Sequence, residues 1–156
     1  MKKALLASAL LITLSAGTAF AAPVNNLENG QSAVGVHDED LYIEHKFTDK
    51  LTVGLQENDF YGRYELSKHL RLLAGARDFH EDSEIYAGLG VIAPLAPKVD
   101  GYASISTSLE SDANVLQLGA NFNVARNVDL NLNYRSLMHH GSDSNHQTTV
   151  GATFKF

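Results

Sequence analysis

Apolar and polar residues alternate along most of the chain from Gln31 onward. The clearest strand has one face made of Leu116, Leu118, Ala120, Phe122 and Val124, and the other made of Gln117, Gly119, Asn121 and Asn123. A period of two residues is that of a β-strand, and no later stretch fits a helical period better. The pattern therefore predicts an all-β chain.

Short connections divide this pattern into hairpins. Residues 48–50, 67–69 and 125–127 each separate two apolar residues of the same phase, so the apolar face continues from strand to strand. Pro94 to Lys98 is predicted to be a fourth, less regular connection, because proline cannot donate to a sheet ladder.

The connections delimit ten predicted strands, which are 32–37, 41–47, 51–56, 60–66, 70–79, 84–92, 99–109, 114–124, 128–137 and 147–156. The connections at the other end of the hairpins are longer on the whole. An even number of antiparallel strands, with short turns at one end and longer loops at the other, is typical of bacterial outer-membrane barrels. We therefore predict a closed antiparallel up-and-down transmembrane β-barrel.

The first four predicted strands are short for this interpretation. A spanning strand needs about 9–11 residues, and these have about seven. Either the acidic loops extend these strands, or part of the amino-terminal half does not span. A barrel of eight strands, with one early hairpin misread, stays an alternative.

The amino terminus predicts export. Lys2 and Lys3 precede an apolar run from Ala4 to about Leu14, and Ala19-Phe20-Ala21 forms an A-x-A site. This order is typical of a cleaved signal peptide, and the run is too short for a membrane helix. We therefore divide the chain into a signal peptide (1–21), an amino-terminal extension (22–30) and an outer-membrane β-barrel (31–156).

Composition narrows the classes of protein to which the chain could belong. The chain has no cysteine, so disulfides cannot hold an exported fold together. The formal net charge of −6 becomes −8 once Lys2 and Lys3 leave with the signal peptide. An acidic chain without a basic stripe argues against nucleic-acid binding.

The polar face of the strands favours a membrane barrel over a soluble one. It is rich in Asn, Gln, Ser, Thr, Gly and Tyr, and its few charges have both signs. A crowded interior with paired charges fits this composition, whereas a solvent-facing sheet normally carries many Lys and Glu. We predict that Leu116, Leu118, Phe122, Leu130 and Leu132 face outward, with Asn121, Asn131, Asn133 and Arg135 inside. His45 shares the apolar phase and fits that face poorly.

The last strand alternates to its final residue, through Val150, Ala152, Phe154 and Phe156. This ending resembles the carboxyl-terminal signature of outer-membrane barrels. The mature chain is similar in plan to small barrels of the OmpA-domain, OmpX and YfaZ type. The resemblance implies that Phe154 and Phe156 form an assembly signal for the barrel-assembly machinery, with outer-membrane lipid and lipopolysaccharide as further partners.

Acidic residues and histidines are concentrated in the longer connections of the hairpins, which we call the predicted outer ends. Twelve of the eighteen acidic residues lie there, Asp40 and Asp59 among them, together with His37, His80, His139, His140 and His146. Carboxylates suit divalent cations, and imidazoles suit transition metals. The candidate metal ligands are His80, Asp82, His139, His140, Asp143 and His146, whose spacing matches no recognised pattern. Solvated loop residues are the simpler interpretation.

No signal for catalysis or for a cofactor emerges. His80, Asp82, Ser83, Ser142 and Asp143 supply the residue types of barrel hydrolases, but without a G-x-S-x-G context. We therefore predict a non-enzymatic barrel with a structural or surface-interaction role. A narrow pore and a soluble periplasmic ligand-binding barrel are the alternatives.

Overall fold

The computed structural model describes residues 22–37, 40–79, 82–110, 113–139 and 144–156. These ranges form a closed barrel of ten strands, in which each strand is antiparallel to both neighbours. The strands are β1 (Ser32–His37), β2 (Asp40–Lys46), β3 (Leu51–Gln56), β4 (Asp59–Glu65), β5 (Leu70–Phe79), β6 (Asp82–Ala96), β7 (Val99–Ser108), β8 (Ala113–Ala125), β9 (Val128–His139) and β10 (Asn145–Lys155). The predicted up-and-down barrel is confirmed, and the eight-strand alternative is wrong.

The described residues contain no helix with the length and apolar character needed to span a membrane.

The last residue of the chain takes part in closing the barrel. β10 pairs with β1 from Ala33 opposite Lys155 to His37 opposite Gly151. At the end of this ladder Ser32 N donates to Phe156 O at 2.8 Å, and Phe156 N donates to Ser32 O at 2.9 Å. Closure leaves no free sheet edge, so the barrel offers no template for edge-to-edge aggregation.

Two of the short turns are stabilised in the same way by a hydroxyl. Thr48 Oγ1 accepts from the backbone N–H groups of Lys50 and Leu51, at 3.2 and 3.0 Å. Ser67 Oγ accepts in the same manner from His69 and Leu70, at 3.4 and 3.1 Å. A hydroxyl that binds nearby N–H groups favours a turn over continued strand, which explains why the strands end here. We call this side of the barrel the turn end.

The opposite side, which we call the loop end, has five connections, and four of them are shorter than predicted. The strand bounds leave only residues 38–39, 57–58, 80–81, 109–112 and 140–144 between strands. β6 also continues past Pro94, which pairs with Asp100 just before a register shift. The predicted connection from Pro94 to Lys98 is therefore wrong, and the turn is Pro97-Lys98. Lys98 has a φ of 66°, which a turn tolerates more readily than a strand.

The two faces of the sheet are oriented as predicted. Leu118, Phe122, Leu130 and Leu132 are 39–44% exposed on the outside, and Leu116 on the same face is half-buried. The predicted inward residues, which are Asn121, Asn131, Asn133 and Arg135, are all buried. A soluble ligand-binding barrel would place its apolar face inside, so that alternative is wrong. His45 lies on the outer face, where Ser32 Oγ contacts its Nδ1 at 2.9 Å.

Four inward tyrosines each pack on a glycine of a neighbouring strand. The pairs are Tyr42 with Gly35, Tyr61 with Gly54, Tyr86 with Gly75, and Tyr102 with Gly119. A Cβ atom on any of these glycines would overlap the tyrosine ring opposite. The missing side chain is therefore what lets each ring lie flat along the wall. This arrangement leaves room in the middle of the lumen.

We expect Gly119→Ala to destabilise the barrel by about 1–3 kcal/mol, as overpacking does in a closely packed interior. The new Cβ would overlap the Tyr102 ring and lie 2.6 Å from Leu132 O, which is backbone and cannot swing away. Gly62→Ala is the matched control, because its Cβ would meet nothing closer than 4.0 Å. Denaturant unfolding of both refolded variants measures the difference. Equal stability of the two variants would contradict the packing role of Gly119.

Candidate functional site in the barrel lumen

Residues 22–30 fold back into the lumen from the turn end, and we call this segment the plug. Ala22, Val24, Asn25 and Leu27 are each at most 4% exposed. The plug ends where Gly30 N donates to Lys46 O at 2.8 Å. The segment predicted to be an amino-terminal extension thus fills the barrel that follows it.

The lumen holds the plug by its main-chain carbonyls. Arg63 Nη2 donates to Pro23 O at 3.0 Å, and Gln117 Nε2 donates to Ala22 O at 3.2 Å. Asn121 Nδ2 donates to Val24 O at 2.8 Å. Further along, Arg71 Nη1 donates to Asn25 O at 2.8 Å, and Lys155 Nζ donates to Asn26 O at 3.4 Å. Consecutive carbonyls from Ala22 to Asn26 therefore each have a donor from the wall.

The plug's side chains make fewer specific contacts. Asn25 Nδ2 donates to Tyr42 OH and to Glu44 Oε2, both at 3.2 Å. Val24 packs in one buried apolar cluster with Ile92 and Tyr102. Ala22 packs in a second cluster with three of the inward tyrosines, Tyr42, Tyr61 and Tyr86. Among the plug side chains, only that of Asn25 contacts a charged residue, Glu44, at a place where both residues are buried.

Paired charges surround the plug. Arg63 Nη2 lies 2.8 Å from Glu44 Oε1, to which Tyr61 OH also donates at 2.8 Å. Nearer the turn end, Glu65 Oε1 joins Lys46 Nζ at 2.8 Å and Arg71 Nη2 at 3.2 Å. Because a buried charge is costly unless it has a partner, these pairs keep a charged lumen compatible with folding.

Two cavities continue the lumen beyond the plug. A small cavity of about 30 Å³ is lined by Ala22 and by wall residues that include Asp59, Arg77 and Tyr86. A larger one of about 330 Å³ lies toward the loop end, and its lining includes Arg77, Tyr86, Glu84 and Ser108. Arg77 and Tyr86 line both cavities, so the spaces adjoin. Tyr86 OH donates to Asp59 at 2.9 Å, and Arg77 lies 4.2 Å from the centre of the Tyr86 ring.

Three residues assigned to a solvated outer rim are buried in the wall. Asp40 accepts from Gln56 Nε2 at 3.3 Å, and Asp59 binds Tyr86. His37 is fully buried, with its Nε2 hydrogen-bonded to Thr149 Oγ1. The prediction that these groups are solvated loop residues is wrong. For Asp40 and Asp59 the reason is that β2 and β4 begin one residue earlier than the apolar alternation indicates, and His37 is buried because its position at the end of β1 faces the lumen.

Three of the six candidate metal ligands lie outside the described residues. These are His80, His140 and Asp143, and the side chains of Asp82 and His139 are not described either. His146 lies on the outer face, where its ring stacks on Tyr134 at 6.1 Å and its Nδ1 is 3.2 Å from Tyr134 OH. Within the described ranges, no three His, Asp or Glu side chains are grouped so as to hold a metal ion.

The remaining candidate residues are only partly within the described ranges. Ser83 is exposed on β6, whereas Ser142 and Asp143 lie outside the described ranges. Phe154 and Phe156 are both exposed on the outer face and stack with ring centres 6.0 Å apart. The paired apolar rings at the end of β10 are therefore accessible to a partner.

Sequence analysis missed the plug because residues 22–30 show neither alternation nor helical period. The one available signal lies on the other side of the contact. The inward face carries long donor side chains, and three of them, Arg63, Gln117 and Asn121, donate to plug carbonyls.

Neither a protein-family model nor a curated protein sequence matches this chain. Solved structures of similar shape are outer-membrane or designed barrels. A de novo designed transmembrane β-barrel shows 16% identity and a TM-score of 0.48, covering 83% of this chain and 98% of that one. The amino-terminal β-barrel domain of Pseudomonas aeruginosa OprF shows 12% and 0.40, with coverage of 82% and 98%. Ail, the attachment invasion locus protein of Yersinia pestis, shows 14% and 0.40, with coverage of 83% and 100%. These likenesses concern the fold alone.

Proposed function

We propose that this chain is a small outer-membrane β-barrel protein with a structural or surface-interaction role, whose lumen is closed at rest by the plug. It is not an open pore in this state, because the plug and paired side chains occupy the lumen from the turn end to the first cavity. No catalytic role is assigned to it.

The outer surface of the barrel carries this proposal. Large apolar side chains are 37–70% exposed all around the wall, for example Leu41, Phe60, Leu89, Ile105 and Val150. Monomeric soluble proteins rarely expose contiguous apolar patches beyond a few hundred Å². A closed barrel with this exterior satisfies its backbone internally, which is what a strand-built protein needs in lipid.

The ends of the barrel receive separate roles in the proposal. The exposed rings of Phe154 and Phe156 would bind the barrel-assembly machinery, as their resemblance to a carboxyl-terminal signature implies. The loop end would meet lipopolysaccharide, with divalent cations bridging its carboxylates to lipid phosphates. Glu57 and Glu110 are exposed there, and most of the other acidic residues lie in or beside the undescribed segments.

Membrane fractionation of cells that express the full chain tests the proposal. We expect the protein in the outer-membrane fraction, resistant to extraction by high salt or alkali and migrating differently on gels before and after heating. Phospholipid vesicles should also take up the purified chain during refolding. Recovery of a folded monomer in the soluble periplasmic fraction would overturn the assignment.

A further inference from the structure

We propose that the plug is displaceable, and that the lumen conducts small hydrophilic solutes and ions once residues 22–30 leave it. This inference rests on the proposed membrane location, since a pore needs a membrane to cross.

The plug can leave without opening the wall. In the described residues, the hydrogen bonds from residues 22–26 to the barrel all run to side chains, namely those of Arg63, Arg71, Gln117, Asn121 and Lys155 and, from the Asn25 side chain, Tyr42 and Glu44. The backbone joins the sheet only at Gly30, whose N–H donates to Lys46 O. The inter-strand ladders that hold the barrel together therefore do not include the plug.

The wall also keeps its charges paired when the plug is gone. Arg63 retains Glu44 at 2.8 Å, and Arg71 retains Glu65 at 3.2 Å. Asn121 Oδ1 retains the amide of Asn131 at 2.8 Å. A buried charge without a partner is costly. Arg63 and Arg71 both keep a carboxylate partner when the plug is displaced. Water can replace the carbonyls that the wall donors lose.

The space behind the plug is lined by charged and hydroxyl side chains as well as by apolar ones, and it leads toward the loop end. From Ala22 it passes through the small cavity, past Arg77 and Tyr86, into the larger cavity of about 330 Å³. Tyr102 OH and both amide atoms of Asn133 are buried without a protein partner among the described residues. Buried polar groups of this kind normally bind water, and the charged side chains that line the two cavities favour a hydrated path through them.

The plug itself sets the width of that path between the turn end and Ala22. Residues 22–27 pass through the lumen as a non-helical, non-strand chain, so their departure leaves a passage at least as wide as a polypeptide. An eight-strand barrel is just filled by its own side chains. Ten strands, with four tyrosines held flat on glycines, enclose the additional space.

The test uses one change that should expel the plug. In Asn25→Asp, a carboxylate replaces the amide whose nitrogen lies 3.2 Å from Glu44 Oε2. Two carboxylates in a buried site repel strongly, so the plug should leave the lumen. We expect the mean ion current through planar lipid bilayers to rise by roughly tenfold or more. A tenfold increase in the ratio of open to plugged barrels requires only a modest change in the free energy between these two states.

Asn26→Asp is the matched control, since it makes the same chemical change one residue away. Asn26 is exposed, and its Oδ1 accepts from Arg71 Nη2 at 3.3 Å, so a carboxylate there gains a cation. Its current should stay at the level of the wild type. A deletion of residues 23–30 keeps Ala22 beside the predicted cleavage site. It should conduct continuously, and a synthetic peptide of residues 22–30 should block it.

Insertion is scored separately, by heat-dependent gel migration and by protease resistance in vesicles. An Asn25→Asp barrel or a deletion barrel that inserts and yet conducts no more than the wild type would overturn the displaceable plug while leaving the membrane location intact. Failure of the wild-type chain to insert would overturn both proposals. Equal currents for Asn25→Asp and Asn26→Asp, both raised, would also contradict the role of the Glu44 contact.

Discussion

Replacing Glu44 by Gln should destabilise the folded barrel by about 3–5 kcal/mol, the cost of removing one partner of a buried ion pair. Glu44 is 1% exposed and lies 2.8 Å from Arg63, which is 4% exposed. Without the carboxylate, the Arg63 guanidinium would keep the carbonyls of Ala22 and Pro23 and the face of the Tyr61 ring, which are all neutral. Tyr61 OH and the Asn25 amide also donate to this carboxylate, so a single change disturbs four groups.

A double-mutant cycle separates the lost charge pair from lost packing. Glu44→Gln with Arg63→Met removes both charges, and we expect it to recover much of the stability that the single Glu44 change loses. Reversible unfolding in urea, with the protein in detergent micelles or vesicles, provides the free energies. If the two single changes were simply additive in the double variant, the pair would not be coupled.

Introducing arginine on the outer face should have the second large effect. Leu132 lies in the middle of β9 and is 44% exposed on the outside. If the outer face contacts lipid, Leu132→Arg should cost about 2–4 kcal/mol, the penalty for a cation near the bilayer midplane of a barrel. The same change would cost little stability on the surface of a soluble protein, because water solvates a charged side chain there.

Val124→Arg provides the comparison. Val124 is also exposed on the outer face, but it lies near the turn end of β8, where the long side chain can reach the interface. Its cost should be about 0–1 kcal/mol, as found for cations near the membrane boundary. Unfolding in vesicles measures both variants. Equal and negligible costs would mean that the wall faces water.

The wall of the barrel could be predicted from the sequence because the alternation of apolar and polar residues is a local pattern. Each strand reports its own two faces, so the inward positions of Asn121, Asn131 and Asn133 and the outward positions of Leu130 and Leu132 could be predicted without knowing which strands are neighbours. The even strand number and the two kinds of connection then fixed the topology. The strand bounds were less accurate, both at the loop end and at the turn between β6 and β7.

The lumen was less predictable, because its contacts join residues that are far apart in the chain. Val24 meets Asn121, and His37 meets Thr149, only after β10 closes on β1. No periodicity in residues 22–30 reports a place inside a barrel. The burial of Asp40 and Asp59 was hidden for a related reason, since a polar residue at the end of an inward face has the same sequence appearance as the first residue of a loop.

The unequal heights of the wall have a consequence for the surrounding membrane. β1 to β4 contain six or seven residues each, whereas β5 to β10 contain ten to fifteen. With about 3.3 Å per residue and a tilt of about 40°, the short strands cover roughly 15–18 Å of thickness, against an apolar band of about 25 Å in outer-membrane barrels. Hydrophobic mismatch on that side alone compresses the adjacent lipid. The barrel therefore thins the bilayer on the side of β1 to β4 and not on the other side. When two such barrels face each other with these sides, they thin the same lipids and share the energetic cost.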